Sequence, residues 1–260
     1  MADLEKKFEE LEAKIAKLEL DLAKEKAVTQ IQNVMGRYAY MHTGGMHTLC
    51  SHLFAEGDPE LSIEIGPGGV FYGPDAAYRA YTIGHNAGEG NRLGFMAEHT
   101  LTTPVIEVAD DLKSVRSYYM TPGTMGGVTG SQGGRSGGWL WERYGSEFVY
   151  RDGRWWWFHE QVCPDLAGDM DAENWAQDRF RAYLDGSLKV GNASAPPKGG
   201  ISDLRSIHND VSIVQTVQDT VPAPEPYETL DEAHTYSPGC TAFEDVYIYP
   251  PTQGYGDPIY

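Results

Sequence analysis

The sequence has 260 residues, with 38 acidic and 20 basic side chains and a formal net charge of −18. This length suits one ordinary domain with extensions. The negative charge disfavours nucleic acid and anionic membrane surfaces as partners. Three cysteines without paired spacing (Cys50, Cys163 and Cys240) argue against a disulfide framework and a zinc site. No secretory signal or spanning apolar run is present, so we expect a soluble, cytoplasmic protein.

The first 27 residues predict an amphipathic helix that associates with another helix. Its apolar residues are spaced alternately four and three apart, which is the a/d pattern of a coiled coil. They are Leu4, Phe8, Leu11, Ile15, Leu18 and Leu22. We expect this segment to support a homo-oligomer, either a dimer or a trimer. The alternative is a single helix packed on its own domain.

A second stretch of helix is expected from Ala27 to Met41, ended by the pair Gly44-Gly45, with a short helix from Met46 to Phe54. His42, His47 and His52 follow at intervals of five. On a continuous helix that spacing turns each side chain by about 140° from the last. The three histidines are therefore not expected to converge on one ion, and no metal is predicted.

Short strands are predicted at 61–65 and 70–73, joined by a glycine-rich turn, with a short helix at 74–83 and a glycine-rich loop at 84–94. His99 then starts an alternating run that ends at Asp110-Asp111. A second run from Ser114 to Met120 follows at once, so His99 is placed on a hairpin. A histidine held on a strand that faces a cavity can act as a general acid or base near neutral pH.

The rest of the domain is expected to be antiparallel strands. A glycine-rich loop is predicted from Gly123 to Gly138, followed by strands at 139–150 and 155–162 around an Asp-Gly turn. Three consecutive tryptophans (155–157) must point to both faces of the last strand. A helix is predicted at 171–184. Residues 186–260 hold nine of the 15 prolines and are expected to form an arm over the domain or a neighbour.

Four pieces of the sequence together resemble one known family. They are Val34-Met-Gly-Arg-Tyr-Ala-Tyr-Met-His, Leu53-Phe-Ala-Glu-Gly-Asp, the run from Glu98 to Asp111, and the segment from Tyr144 to Trp155. In this order they resemble the SnoaL-like branch of the nuclear transport factor 2-like superfamily. The resemblance covers residues 28–185. It implies an α+β fold, a cone-shaped barrel whose curved antiparallel sheet wraps on helices around a deep pocket.

The resemblance also implies a chemistry. Dehydratases of this branch are lyases without a cofactor that use a pocket histidine, tyrosines and an aspartate; His99 and Tyr38 fall at matching places. The aspartate is absent, and His42 stands in its region. With the missing aspartate, the long arm and the aromatic content (6 Trp, 16 Tyr and 8 Phe), the chain resembles most the related diarylpropane lyases of lignin breakdown. These are implied to dehydrate a phenolic diol to a quinone methide and then release formaldehyde, leaving a stilbene.

Further residues are predicted to bind the small aromatic or polycyclic substrate. Tyr72 and Tyr118 could donate hydrogen bonds to a developing oxyanion, and Arg116 could meet an anionic substrate group if its face is the concave one. The alternative is that Arg116 faces outward. Trp141 and Arg143 share a face and are candidates for stacking and anion contact. Two other functions stay open, a dehydratase or isomerase of a steroid or polyketide-like alcohol, and a non-catalytic binding or assembly module.

Overall fold

A computed structural model of the protein describes residues 2–65, 69–85, 96–129, 134–169, 202–203, 221–230 and 236. One long helix, α1, runs from Ala2 to Thr43. It ends where predicted, because Gly45 adopts a φ of 67° that reverses the chain. The second helix, α2, is shorter than expected and covers His47–Ser51. The helix expected at 171–184 and most of the loop at 84–94 lie outside the described residues.

The second half of α1 packs onto the domain through one face. Ala27, Ile31, Met35 and Tyr38 are spaced three or four apart and are all buried. The Trp155 indole N–H also donates to Gln30 Oε1 at 2.9 Å. The helix continues from residue 27 as predicted. No helix within the described ranges is long and apolar enough to cross a membrane.

Seven strands form one sheet. They are β1 (Ser62–Ile65), β2 (Gly69–Tyr72), β3 (Met96–His99), β4 (Thr102–Val108), β5 (Ser114–Thr129), β6 (Gly134–Arg151) and β7 (Arg154–Asp169), with a π-helix at Tyr78–His85 between β2 and β3. The order is β2-β1-β7-β6-β5-β3, and β4 also pairs with β5. Only β1 and β7 pair in parallel among these. The predicted α+β fold with a curved, mainly antiparallel sheet is confirmed.

The glycine-rich region expected as a loop belongs mostly to two long strands. Met125 pairs with Gly138 and Gly126 with Gly137 across β5 and β6. The ladder forms because its hydrogen bonds are made by the backbone, which needs no side chain. The Asp152-Gly153 turn that follows is as predicted, with φ of 53° and 79°.

The two faces of the sheet have different surroundings. The inner face packs on α1, α2 and the π-helix, and it carries Tyr144, Phe148 and Trp157. The outer face carries Tyr118 and Cys163, which pack with Val221 and Tyr236 of the C-terminal extension. The three tryptophans divide between the faces as expected. Trp155 and Trp157 join the inner core, and Trp156 packs on the outer side.

A β-bulge in β7 sets which side chains reach the interior. The pairing shifts between Glu147–His159 and Phe148–Trp157, so Phe158 is an extra residue. A bulge of one residue reverses the alternation beyond it. Glu160 therefore shares the inner face with Trp157, whereas Phe158 and His159 both lie outside, with ring centroids 4.0 Å apart.

Gly123 is expected to be required for stability. A Cβ at this position would lie 2.4 Å from the Leu140 carbonyl oxygen of β6, and neither strand can give way easily inside the ladder. Gly123→Ala should lower the free energy of unfolding by about 1–3 kcal/mol, measured by urea denaturation. Gly36→Ala is the control, because nothing lies within 4 Å of a Cβ there. On α1 this exchange should raise stability by about 0.5–1 kcal/mol; equal effects would contradict the close approach.

Candidate functional site

A buried histidine–carboxylate pair lies on the inner face. His99 ends β3, and Glu142 lies on β6, with β5 between them. Nδ1 of His99 is 3.2 Å from Oε2 of Glu142, and the two side chains are only 4% and 7% exposed. The Tyr144 hydroxyl donates to the same Oε2 at 3.3 Å. A buried carboxylate next to one ring nitrogen fixes the orientation of an imidazole.

Three more histidines surround this pair. The ring of His42, in the last turn of α1, lies 4.6 Å from that of His99, 4.9 Å from His47 and 5.2 Å from His85 (centroid distances). The expectation that His42 and His47 diverge is wrong, because it assumed a continuous helix. The turn at Gly44-Gly45 brings them together, whereas His52 is exposed and lies near Glu56.

The histidine cluster (His42, His47, His85 and His99) is not arranged as a metal centre. The ring of His42 packs edge to face against the rings of the other three histidines, with interplanar angles of 71–78°. Across the part of the chain that is described, no group of three or more His, Cys, Asp or Glu side chains is placed to hold an ion.

Burial keeps part of this cluster uncharged. Burial, and then the nearby charge of His99, holds the pKa of His42 well below its ordinary 6.5. Burial also lowers the pKa of His85, whose Nδ1 lies 3.0 Å from the Ala80 carbonyl oxygen. Nδ1 of His42 makes no hydrogen bond to any described residue. A neutral His42 therefore offers a buried polar atom that a bound hydroxyl could satisfy.

A chain of tyrosines lies under the cluster. The Tyr38 hydroxyl is 3.1 Å from that of Tyr81, which is 2.7 Å from both carboxylate oxygens of Glu160. Burial raises the pKa of Glu160 to about 8 and raises the pKa values of both tyrosines well above 10.0. Near neutral pH the side chains of Tyr38, Tyr81 and Glu160 are all protonated, and they can supply hydrogen bonds in a low-dielectric interior.

The protonated state of Glu160 predicts a specific pH dependence of stability. Between its ordinary pKa of 4.5 and the folded value of about 8, the unfolded chain loses the proton while the folded chain keeps it. The free energy of unfolding therefore falls as pH rises through this window. Glu160→Gln removes that loss, so the variant should gain on the order of a few kcal/mol relative to wild type between pH 5 and 9. Urea denaturation at several pH values measures it, with exposed Glu98→Gln as the control; a pH-independent difference would contradict it.

Of the eight predicted site residues, three come together and five do not. Tyr38, His42 and His99 meet on the inner face. Arg116, Tyr118 and Arg143 lie on the outer face, so their expected place beside His99 is corrected. The reason is the strand alternation, which puts the apolar residues Val115 and Tyr119 inward. They are instead engaged on the outer face, Arg116 with Glu147 at 2.8 Å, Arg143 with Asp165 at 2.7 Å and Tyr118 against Cys163.

The two remaining predicted contacts are more exposed. Trp141 is 39% exposed and alternates with Glu142, so it lies on the outer side of β6. Tyr72 is 37% exposed at the end of β2, and its backbone N–H donates to Asp203 Oδ2 at 2.8 Å. Neither lies against His99. The expectation that they bind the same substrate group as His99 is therefore corrected as well.

Sequence reasoning missed five inner-face residues. Glu142 could have been found, since it alternates with Tyr144 and Phe148 of the inner core. The other four had no local signal that placed them beside His99. They are His47, Tyr81, His85 and Glu160.

Comparisons with known proteins identify the family. The family model of the SnoaL-like domain matches residues 25–159. A protein provisionally named scytalone dehydratase, from Novosphingobium aromaticivorans, is 16% identical with a TM-score of 0.46, over 60% of this chain and 93% of that one. The dehydrochlorinase LinA-type3 from Novosphingobium barchaimii is 14% identical with a TM-score of 0.44, over 58% and 95%. No curated protein matches the chain.

Proposed function

Since the chain belongs to the SnoaL-like family, as its sequence resemblance predicted, we propose that it is a cofactor-independent lyase acting on a hydroxylated aromatic substrate. One observation carries the proposal. A buried His99–Glu142 pair, 3.2 Å between Nδ1 and Oε2, lies among tyrosines and neutral histidines. Paired groups that can give and take a proton in a dry interior are what elimination of water requires.

In this reaction His99 is the acid–base residue. Glu142 holds Nδ1, so the opposite nitrogen Nε2 is the one that meets the substrate. The carboxylate also stabilises the imidazolium when His99 carries a proton. Glu142 thereby takes the place of the aspartate that the family dehydratases supply from the end of the first helix. The backbone N–H of His99 lies 3.5 Å from Thr43 Oγ1, which joins β3 to the end of α1.

The tyrosine chain and His42 stabilise the charge that develops on the substrate. In the structure the Tyr81 hydroxyl donates to Glu160. A protonated Glu160 can instead donate to Tyr81, which frees Tyr81 to donate to Tyr38, and Tyr38 to donate to a substrate oxygen. Donors fixed before reaction stabilise a phenolate without reorganising. His42, whose Nδ1 makes no hydrogen bond within the described part of the chain, is available to a substrate hydroxyl beside His99.

The substrate that we propose is a phenolic diarylpropane diol. The phenol loses its proton, the benzylic carbon–oxygen bond breaks, and the leaving hydroxyl takes a proton from His99 to leave as water. The resulting quinone methide then loses formaldehyde. His99, left neutral by the first step, removes the proton of the terminal hydroxyl, the carbon–carbon bond breaks, and its electrons restore the phenolate of a stilbene. No external oxidant or reductant is consumed. The resemblance and the aromatic interior support this choice.

A panel of substrates tests the proposal. The purified full chain, dialysed and without added cofactor, is incubated with a phenolic diarylpropane diol and with a hydroxysteroid. We expect new conjugated absorbance and formaldehyde from the diol. Dehydration or isomerisation of the steroid alone would assign the alternative enzyme. Tight binding of either compound without turnover would assign a binding module. A binding module is expected to have an apolar cavity, whereas this interior is lined by histidines and carboxylates.

A further inference from the structure

The first half of α1 carries an apolar stripe that its own domain does not cover among the described residues. Leu4, Phe8, Leu11, Ile15, Leu18 and Leu22, here called the seam, have 54–66% of their surface exposed. They are spaced four and three apart over three heptads. Large exposed apolar stripes on a charged helix mark association sites rather than ordinary surface.

The seam points away from the barrel. Leu22 and Ile31 are nine residues apart, which corresponds to about 180° around the helix axis. Ile31 is fully buried against the sheet, whereas Leu22 is 54% exposed. Because α1 is one continuous helix from Ala2 to Thr43, its anchored half holds the seam on the side opposite its own core. Rotating the helix to bury the seam on the barrel would expose Ile31 and Met35.

We propose that α1 joins two copies of this chain in a parallel, in-register coiled coil over residues 4–26. This inference does not depend on the proposed lyase activity. The helix is already formed by its attachment to the barrel, so only three heptads suffice where a free peptide of this length is marginal. The seam places Leu at every d position and Phe8, Ile15 and Leu22 at a.

The flanking charges determine the partner and its direction. In a parallel pair each g residue faces the e residue five positions later on the other helix. The three such pairs are Lys7–Glu12, Lys14–Glu19 and Asp21–Lys26, all opposite in sign. An antiparallel pair would instead bring Glu12 beside its own copy and Lys14 beside its own copy. A second copy of this chain is therefore complementary in the parallel register.

Two further features agree with this register. The next d and a positions are the polar residues Glu25 and Thr29. At this point Lys24 Nζ forms an ion pair with Asp110 Oδ1 of the barrel at 2.5 Å. The coiled coil therefore ends where the barrels begin. The ion pairs of Lys7 with Asp3 and Asp21 with Lys17 within one helix are largely exposed. Exposed pairs contribute little, so these side chains can turn to the second copy at small cost.

The first test is the mass of the full chain in solution, measured by light scattering after gel filtration at micromolar concentration. We expect twice the single-chain mass. Leu11→Lys with Ile15→Lys, which charges the seam, should shift the protein to the single-chain mass. Ala13→Lys with Ala16→Lys adds the same charge on the outside of the helix and should leave the assembly unchanged. A wild-type protein of single-chain mass, or one insensitive to the seam substitutions, overturns the proposal.

The charge exchanges of the second test keep the seam intact, so misfolding cannot explain their effect. Lys7→Glu with Lys14→Glu, and separately Glu12→Lys with Glu19→Lys, should each weaken association more than 10-fold. An equimolar mixture of the two variants should restore association.

The relative direction of the two helices is tested by oxidation of the Leu4→Cys variant. Oxidation should give a disulfide that joins the two substituted positions, located by mass spectrometry. Ala13→Cys is the matched control and should not cross-link in this way. Failure of the mixture to associate, or of Leu4→Cys to cross-link, contradicts the parallel register.

Discussion

Replacing His99 by asparagine is expected to lower kcat/KM for the phenolic diol by about 10²–10⁴-fold, the usual contribution of a general acid–base residue. Asparagine can still hydrogen-bond to Glu142, which lies 3.2 Å from Nδ1, so the interior keeps its polar contact. It cannot carry a proton to the leaving hydroxyl. The rate of appearance of the stilbene absorbance measures the effect.

His52→Asn is the matched control for this prediction. His52 is 62% exposed at its side chain and lies near Glu56, away from the histidine cluster. Its substitution should leave kcat/KM within about 2-fold of wild type, as is usual for a surface exchange away from the site. Far-UV circular dichroism should be the same for all three proteins. A His99→Asn variant as active as the control removes His99 from the mechanism.

Glu142→Gln is expected to have the second largest effect, lowering kcat/KM by about 10²-fold or more. Glu142 acts through His99, so it is a positioning residue in this account. The glutamine is nearly isosteric and keeps an acceptor for the Tyr144 hydroxyl, but it no longer supplies a negative charge to the imidazole.

The pH profile separates this role from a structural one. Loss of a neighbouring negative charge makes an imidazolium easier to deprotonate. His99 must carry a proton to protonate the leaving hydroxyl, so its deprotonation sets the alkaline limb of kcat/KM. That alkaline limb should therefore move to lower pH in Glu142→Gln. The same exchange at Glu98, which is adjacent to His99 but exposed, should leave the profile in place. A uniform loss of rate without a shift of the limb would assign Glu142 to folding alone.

The sequence was sufficient for the architecture because its periodicities are strong. The alternation after His99, the Asp-Gly turn and the helical pattern of α1 each follow from local patterns. Glu142 was also accessible, since it alternates with Tyr144 and Phe148. The sequence pattern alone gave no reason to prefer the face of β6 that carries Glu142 as the catalytic face. The arginine at 143 on the other face appeared equally suitable.

The rest of the site depends on events without a local signature. The bulge at Phe158 reverses the alternation of β7 and turns Glu160 inward, toward Tyr81. With uninterrupted alternation, Glu160 would lie on the outer face of β7, away from the face that carries Trp157. The reversal at Gly44-Gly45 folds His47 back on His42. Both the bulge and the chain reversal depend on tertiary packing, because the packing of the helices on the sheet determines where such backbone irregularities form.

In the proposed reaction, the histidine-lined interior eliminates water from a phenolic alcohol through a quinone methide. The most direct test is one product measurement on the full chain. It compares the free phenol of the diarylpropane diol with its methyl ether, which cannot form a quinone methide. We expect the phenol to give stilbene and formaldehyde in equal amounts and the methyl ether to give neither. Equal conversion of both substrates, or of neither, would contradict the account.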